Sequence, residues 1–285
     1  MTRIDKALQQ NIVESVRNAL AEDIATGDLT AELVPAEQQA QATVLVRDDA
    51  VICGLPWFSE VFSQLSTGIA IDLLVDEGQQ VTAGSTICAL QGPARPLLTG
   101  ERTALNFLQT LSAVATAANL FAAAIADTQA TILDTRKTIP GLRLAQKYAV
   151  HTGGAANHRI GLYDGILIKE NHIAASGGVK KAVATALAHA NGVMVEVEVE
   201  NLDEARAAID AGAHRLLLDN FSMNDMRAAV AMRDQNARDV TLEASGGINL
   251  TTVKEIADTG VDFISIGALT KDIRAVDLSM RFEMV

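Results

Sequence analysis

The chain has 285 residues, 49% of them hydrophobic and 20% charged, which excludes a disordered or fibrous protein and leaves room for two domains with ample core. A formal net charge of −12 argues against general binding to nucleic acid or to an anionic membrane, while still permitting a local cationic pocket. Two cysteines, Cys53 and Cys88, lie in apolar strand-like runs without metal-ligand spacing and read as buried thiols of a reducing, cytoplasmic setting.

Residues 3–22 predict an amphipathic helix, with Ile4, Leu8, Ile12, Val16 and Leu20 four apart on one face and charges throughout, unlike a signal peptide. No stretch approaches the ~18–20 uninterrupted apolar residues of a membrane span. After the acidic loop Glu22–Thr30, strand-like runs occur at Ala42–Val46, Ala50–Cys53, Ile69–Val75 and Thr86–Leu90, with a helix near Pro56–Leu65. The stretch VDEGQQVTAGSTICALQG (75–92) has the turn-and-strand cadence of a biotinyl or lipoyl carrier. Such a carrier presents a lysine at a hairpin tip, and no lysine occurs between Lys6 and Lys137, so that reading fails. Residues 1–110 thus predict an α+β sandwich domain, and an Ala-rich helical pattern from Gly100 to Asp127 leads out of it.

From there strands and helices alternate. Apolar strand cores fall at Ala130–Leu133, Gly165–Ile168, Val193–Val199, Arg215–Leu218, Val240–Leu242 and Phe263–Ile266. Helical patterns lie between them at Val179–Ala190, Leu202–Ala211, Met223–Arg233 and Thr251–Asp258. This grammar predicts parallel βαβ units over residues 111–271, with six strands where a closed (β/α)₈ barrel needs eight. The tail 272–285 reads as a return to the first domain.

Ligands of parallel α/β folds meet the C-terminal strand ends, and those ends are polar here. They carry Asp134-Thr135-Arg136-Lys137, Lys169-Glu170-Asn171-His172, the acids Glu196, Glu198 and Glu200, Asp219-Asn220, Glu243-Ala244-Ser245-Gly246-Gly247 and Gly267-Ala268. Ser245-Gly246-Gly247 ahead of a helix, followed one strand later by Ile266-Gly267-Ala268, predicts paired loops whose backbone N–H groups cradle a phosphate. Residues 131–173 hold six cationic side chains against three carboxylates, a net +3 in an acidic chain, together with His151, His158 and His172. Arg136, Lys137 and Lys169 sit directly at strand ends, which suits a small substrate with more than one carboxylate. Glu198 and Asp219, on consecutive strand ends, could ligate Mg²⁺ or pair with the nearby cations. If the third strand is regular, Glu196, Glu198 and Glu200 face one side, so pattern alone leaves open which acid reaches the substrate.

The segments TGERTALNFLQ (99–109), 134–173, EVEVE (196–200), LLLDN (216–220), EASGGI (243–248) and ISIGALT (264–270) resemble the quinolinate phosphoribosyltransferases, the carboxylating nicotinate-nucleotide pyrophosphorylases. The likeness runs nearly end to end and keeps the order and spacing of every motif. It implies an α/β protein with an open, incomplete α/β barrel and an N-terminal α+β sandwich. It further implies a homodimer in which Arg102 enters the partner's site, and Mg²⁺-dependent transfer of phosphoribose from phosphoribosyl pyrophosphate to quinolinate. In that scheme Arg102, Arg136, His158, Arg159 and Lys169 take quinolinate. Thr135, Lys137, Ser245, Gly246, Gly247, Ile266, Gly267 and Ala268 take the phosphates, and Glu198 and Asp219 the ribose and the metal. Lys137, Lys169, Glu198 and Asp219 carry the catalytic roles, and neither nucleic acid nor membrane is a partner. Three rivals stand beside it: a phosphosugar aldolase with Lys169 as Schiff-base lysine, a related pyrophosphorylase of the molybdate-operon type, and a non-catalytic binder of phosphoribosyl pyrophosphate.

Overall fold

The structure is a computed structural model that describes residues 5–237 and 239–285. In the N-terminal stretch, α1 (Lys6–Ile24) starts where the Asp5 carboxylate accepts the Leu8 N–H at 2.8 Å, and it buries Ile12, Val16 and Leu20. Ile4, expected on the same face, lies outside the described residues. Then follow β1 (Gln39–Val46), β2 (Ala50–Val51), α2 (Leu55–Leu65), β3 (Ala70–Leu73), β4 (Gln80–Val81) and β5 (Thr86–Pro93). β1 alternates, burying Ala40, Ala42, Val44 and Val46, as a strand with one covered face must. α2, with Pro56 in its first turn, buries Trp57, Phe58, Val61 and Phe62. The carboxylate of Glu77 caps this helix, accepting the N–H groups of Gly54 at 2.7 Å and Leu55 at 3.0 Å. β4, only two residues long, is too short to show as a periodic run in the sequence.

Helix α3 (Ala94–Ala124) is six residues longer at its start than the Ala-rich pattern suggested. By length and composition it is the one helix, among the described residues, that could cross a membrane. Half of its apolar window is buried inside the protein, with Leu105, Leu108, Leu111 and Val114 sealed in the core.

The rest of the chain runs β6 (Thr131–Leu133), α4 (Arg143–Thr152), β7 (Gly165–Ile168), α5 (Glu170–Ser176), α6 (Val179–His189), β8 (Met194–Val199), α7 (Leu202–Asp210), β9 (Arg215–Asp219), α8 (Met223–Asn236), β10 (Thr241–Ser245), α9 (Val253–Ala257), β11 (Phe263–Ser265), α10 (Ala268–Lys271) and β12 (Leu278–Met284). Six parallel strands form one sheet in the order β6-β11-β10-β9-β8-β7. The expected six-strand open barrel is thus the observed one: β6 and β7, consecutive in the chain, are the two edges and do not pair. Short of closing strands, the chain lays Ala156 beside β6 through a parallel bridge to Leu133.

The chain divides into two compact units. One comprises the stretch up to Asn119, Thr138–Gly154 and Leu269–Val285; the other, Leu120–Lys137 and Ala155–Ala268. In the first unit β12 pairs antiparallel with β1 and completes a sheet of order β12-β1-β5-β3. The expected division at residue 110, with the tail from 272, is therefore displaced, and the 138–154 segment changes sides. The reason is packing, which a linear pattern does not carry. α4 packs on α1, its Tyr148 meets Trp57 of α2 at 5.4 Å between ring centres, and Gln146 donates to the Thr270 carbonyl of α10 at 2.8 Å.

At Gly153 the backbone after α4 comes so close to α3 that an added Cβ would stand 2.2 Å from the Ala115 carbonyl oxygen and 2.8 Å from the Ala118 Cβ. A Gly153→Ala substitution therefore forces the two helices apart. We expect a loss of about 2–3 kcal/mol and a melting temperature lower by roughly 5–10 °C. An unchanged melting curve would show that this approach is not tight.

Candidate active site

Parallel register decides which side chains meet. Ile168 stands beside Val197, Glu198 beside Leu217, Ser245 beside Asp219 and Ser265 beside Leu133. The residues that leave each strand consequently form a rim around one pocket of about 470 Å³, lined by Thr135, Arg136, Lys137, His158, Arg159, Lys169, Glu198, Asp219, Glu243, Ser245 and Ser265, with Leu167 and Leu217 as its apolar wall. Every lining residue belongs to the second unit.

Most residues expected at the site are here. Lys169 forms an ion pair with Glu198. Arg159 donates from Nη1 to the Gly165 carbonyl at 2.9 Å, which fixes its guanidinium at the foot of β7. Burial, and next the charge of Arg136, lower the affinity of Arg159 for its proton. Two guanidiniums thus share one partly desolvated place, and the buried Nε of Arg136 has no hydrogen-bond partner. An uncompensated donor beside a second cation is the signature of a site made for an anion.

Of the two loops expected to cradle a phosphate, Ser245-Gly246-Gly247 has glycines at positive φ and Ile266-Gly267-Ala268 does not. Gly246 (φ +107°) and Gly247 (φ +59°) both adopt the positive φ that favours glycine, and a Cβ on Gly246 would strike the Asn220 side chain at 2.1 Å. Above Gly247 there is open space. Gly267 packs against the Lys137 side chain, where a Cβ would come within 2.9 Å. The helix after Ser245-Gly246-Gly247, expected from Thr251, begins at Val253 and has only five residues, because Leu250–Thr252 form turns. Ile266 has a buried side chain, and its N–H donates to the Leu133 carbonyl at 2.9 Å, so it supports the loop from within the sheet. Gly246, Gly247, Gly267 and Ala268 flank the pocket's lining residues in sequence without being among them.

The basic run 131–173 proves to be two groups. Arg143, Lys147 and His151 ride on α4 in the first unit, whereas Arg136, Lys137, His158, Arg159 and Lys169 stay with the pocket. His172 accepts the Lys169 N–H at its Nδ1, 2.9 Å away, and serves as a helix cap. Arg102 lies on an exposed part of α3 in the first unit. Of the three alternating acids, Glu198 lines the pocket and Glu196 is fully buried; β8 ends at Val199, which releases Glu200 to solvent.

At the floor of the pocket His158 and Glu243 meet the fully buried Glu196. Nε2 of His158 is 2.8 Å from Glu196 Oε2 and 3.5 Å from Glu243 Oε2. Arg215 reaches Glu243 at 3.2 Å while stacking on the Phe263 ring at 3.9 Å. Burial, reinforced by Glu196, pushes the Glu243 carboxyl up to about 8. Burial raises Glu196 too, against the pull of Arg215. The available signal was the placement of Glu196 and Glu243 inside apolar strands, on β8 and β10 with β9 between them, but such acids are ordinarily read as rim residues.

Two family models, "Quinolinate phosphoribosyl transferase, N-terminal domain" and "Quinolinate phosphoribosyl transferase, C-terminal domain", match residues 28–112 and 114–281. Among similar proteins, a probable nicotinate-nucleotide pyrophosphorylase [carboxylating] of Bacillus subtilis is 41% identical over 260 residues, covering 91% of this chain and 89% of that protein. The Mycobacterium leprae nicotinate-nucleotide pyrophosphorylase [carboxylating] is 40% identical, with 94% and 95% covered. The structure of the nicotinate-nucleotide pyrophosphorylase from Francisella tularensis superposes with a TM-score of 0.93 at 48% identity, over 99% of this chain and all of that one. That of NadC from Streptococcus pyogenes gives 0.94 at 36% identity, with both chains covered completely.

The displaced Glu243 carboxyl has a consequence for stability. An unfolded glutamate loses its proton near 4.5, whereas folded Glu243 keeps its own up to about 8. Across that window the native state holds the extra proton, so this group lowers stability as pH rises. Glu243→Gln removes the effect. Its melting temperature, compared with the unsubstituted protein, should improve by several degrees between about pH 5 and about pH 8. A difference that stays constant with pH would contradict the burial of a titrating acid.

Proposed function

The chain belongs to the quinolinate phosphoribosyltransferase family, a pentosyltransferase of NAD biosynthesis that makes nicotinate mononucleotide, and we propose how its own residues carry out that reaction. The observation that carries the proposal is the pairing of Arg136 with Arg159 around an unsatisfied guanidinium nitrogen. Quinolinate brings two adjacent carboxylates, which neutralise two neighbouring arginines as a monocarboxylate cannot. Lys169, at the end of β7, adds a third cation to the same pocket.

Lys137 and Thr135 face the phosphates of phosphoribosyl pyrophosphate, with the backbone of Ser245-Gly246-Gly247 and Gly267-Ala268 around the 5′-phosphate. Glu198 and Asp219 are the carboxylates near the ribose. Both are hard oxygen donors on adjacent strands, a donor set that suits Mg²⁺, which when bound would neutralise charge on the pyrophosphate. The ring nitrogen of quinolinate attacks the anomeric carbon as the C–O bond to pyrophosphate breaks, and positive charge gathers on the sugar. A carboxylate held near that sugar stabilises it, and a lysine stabilises the leaving anion. Once alkylated, the pyridinium nitrogen stabilises by its positive charge the electron pair that the breaking C–COO⁻ bond leaves on the neighbouring ring carbon, and that pair binds the incoming proton. CO₂ departs, and a proton takes its place on the ring carbon. No protein nucleophile is required; positioning and charge pairing supply the rate enhancement.

We further infer a homodimer in a cytoplasmic setting. Buried free thiols at Cys53 and Cys88 support the reducing compartment. Exposed apolar side chains support a second copy of the chain as cover: Leu29 and Leu33 on the first unit, Leu162 and Tyr163 on the second. Arg102, exposed on α3, would then serve the pocket of the neighbouring chain.

Release of CO₂ and pyrophosphate should occur with quinolinate and Mg²⁺, stop on chelation of the metal, and be negligible with nicotinate. Equal turnover of nicotinate would overturn the dicarboxylate reading. Arg136→Ala should reduce kcat/KM for quinolinate by roughly a hundredfold or more. Mixing Arg102→Ala chains with Lys169→Ala chains should restore activity through hybrid sites; mixed dimers without any recovery would exclude the cross-subunit arginine.

A further inference from the structure

His158 is only 8% exposed, and the placement of its two ring nitrogens is specific. Nδ1 accepts the backbone N–H of the next residue, Arg159, at 2.7 Å. A proton on Nδ1 would point at that N–H, so the ring is neutral and its single proton sits on Nε2. A cationic ring would help keep Glu243 ionised, yet the Arg159 N–H leaves no space for the second proton. On the other side, Nε2 lies 2.8 Å from Glu196 Oε2, although neither oxygen of Glu196 receives an aligned hydrogen bond. The main chain is held as firmly: Asp134, completely buried at the end of β6, accepts the His158 N–H at 2.9 Å and the Asn157 side-chain amide at 2.6 Å.

Resting on the functional reading above, we propose that Glu196 is a positioning residue for the dicarboxylate. By standing 2.8 Å from His158 Nε2 it braces the seat of the imidazole, and through Nδ1, whose contact sets the tautomer, the imidazole fixes the backbone of Arg159. The cations that meet the substrate are then Arg136, Arg159 and Lys169, with His158 a neutral link between the buried acid and the arginine. Such a link explains why two carboxylates lie under a pocket that binds an anion. They stand behind an uncharged ring, and Glu243, which keeps its proton up to about pH 8, is held in place by Arg215.

The test separates positioning from simple packing. Glu196→Ala should raise KM for quinolinate by about tenfold or more while leaving KM for phosphoribosyl pyrophosphate within about twofold. Glu196→Gln, which still offers Nε2 an acceptor of the same shape, should recover most of the lost affinity. Equal changes in both KM values, or a lower melting temperature with unchanged KM values, would overturn the proposal. Nitrogen-15 NMR of labelled histidines, with the His158 signal identified by its loss in His158→Asn, should show a neutral ring protonated on Nε2 in the intact enzyme. An imidazolium or an Nδ1–H ring would overturn it, as would one tightly bound metal ion per chain at the His158, Glu196 and Glu243 cluster. Should the unsubstituted enzyme fail to turn over quinolinate, the functional reading falls and the NMR result alone decides the Glu196–His158 link; should Glu196→Ala fail to fold, the Gln variant and the NMR still decide.

Discussion

Arg136 and Arg159 repel each other in a half-buried pocket, and the protein is organised to hold them there nonetheless. Arg159 is tied to the Gly165 carbonyl, and its backbone to the His158 ring. His158 is in turn clamped between Asp134 and the buried acids Glu196 and Glu243. Each contact costs something in desolvation, and two of the carboxyls hold their protons more tightly than free glutamates do. Strain of this kind persists where the surroundings over-determine it, and it is released when an anion of matching shape arrives.

The open sheet serves the same end. Because β6 and β7 do not pair, the chain between them is free to leave the barrel, build α4 in the first unit, and return at Ala155. On returning, it lies against β6 through the Leu133–Ala156 bridge and delivers His158 and Arg159 to the pocket. A closed eight-stranded barrel would need a strand there, with a side chain at every second position. An irregular segment can instead point backbone N–H groups at Asp134 and side chains at both the core and the pocket.

Much of this was legible in the residues. Six apolar cores separated by amphipathic helices specify parallel strands, since only helix-covered strands are apolar on both faces. Polar and glycine-rich strand ends specify the side on which a ligand sits. Gly246 and Gly247 were readable as backbone requirements, and both adopt positive φ. Less accessible were features set by distance along the chain. β4 is two residues long, and the charge run 131–173 looks continuous only until α4 is assigned to a different unit. Ile266 looked like part of a phosphate loop because its neighbours are small, but its N–H completes the sheet ladder.

The sequence by itself determined the strand count of the parallel sheet, the helices between most of its strands and the chemical character of the pocket, because periodicity and strand-end composition are local and each segment carries its own record of them. Only the tertiary structure decided which of three alternating acids reaches the pocket, and it set Glu196 and Glu243 beneath His158. Those outcomes depend on where β8 stops and how deep each position lies among its neighbours. Burial changes the energy of a charge far more than its spacing does, and burial belongs to the packed whole.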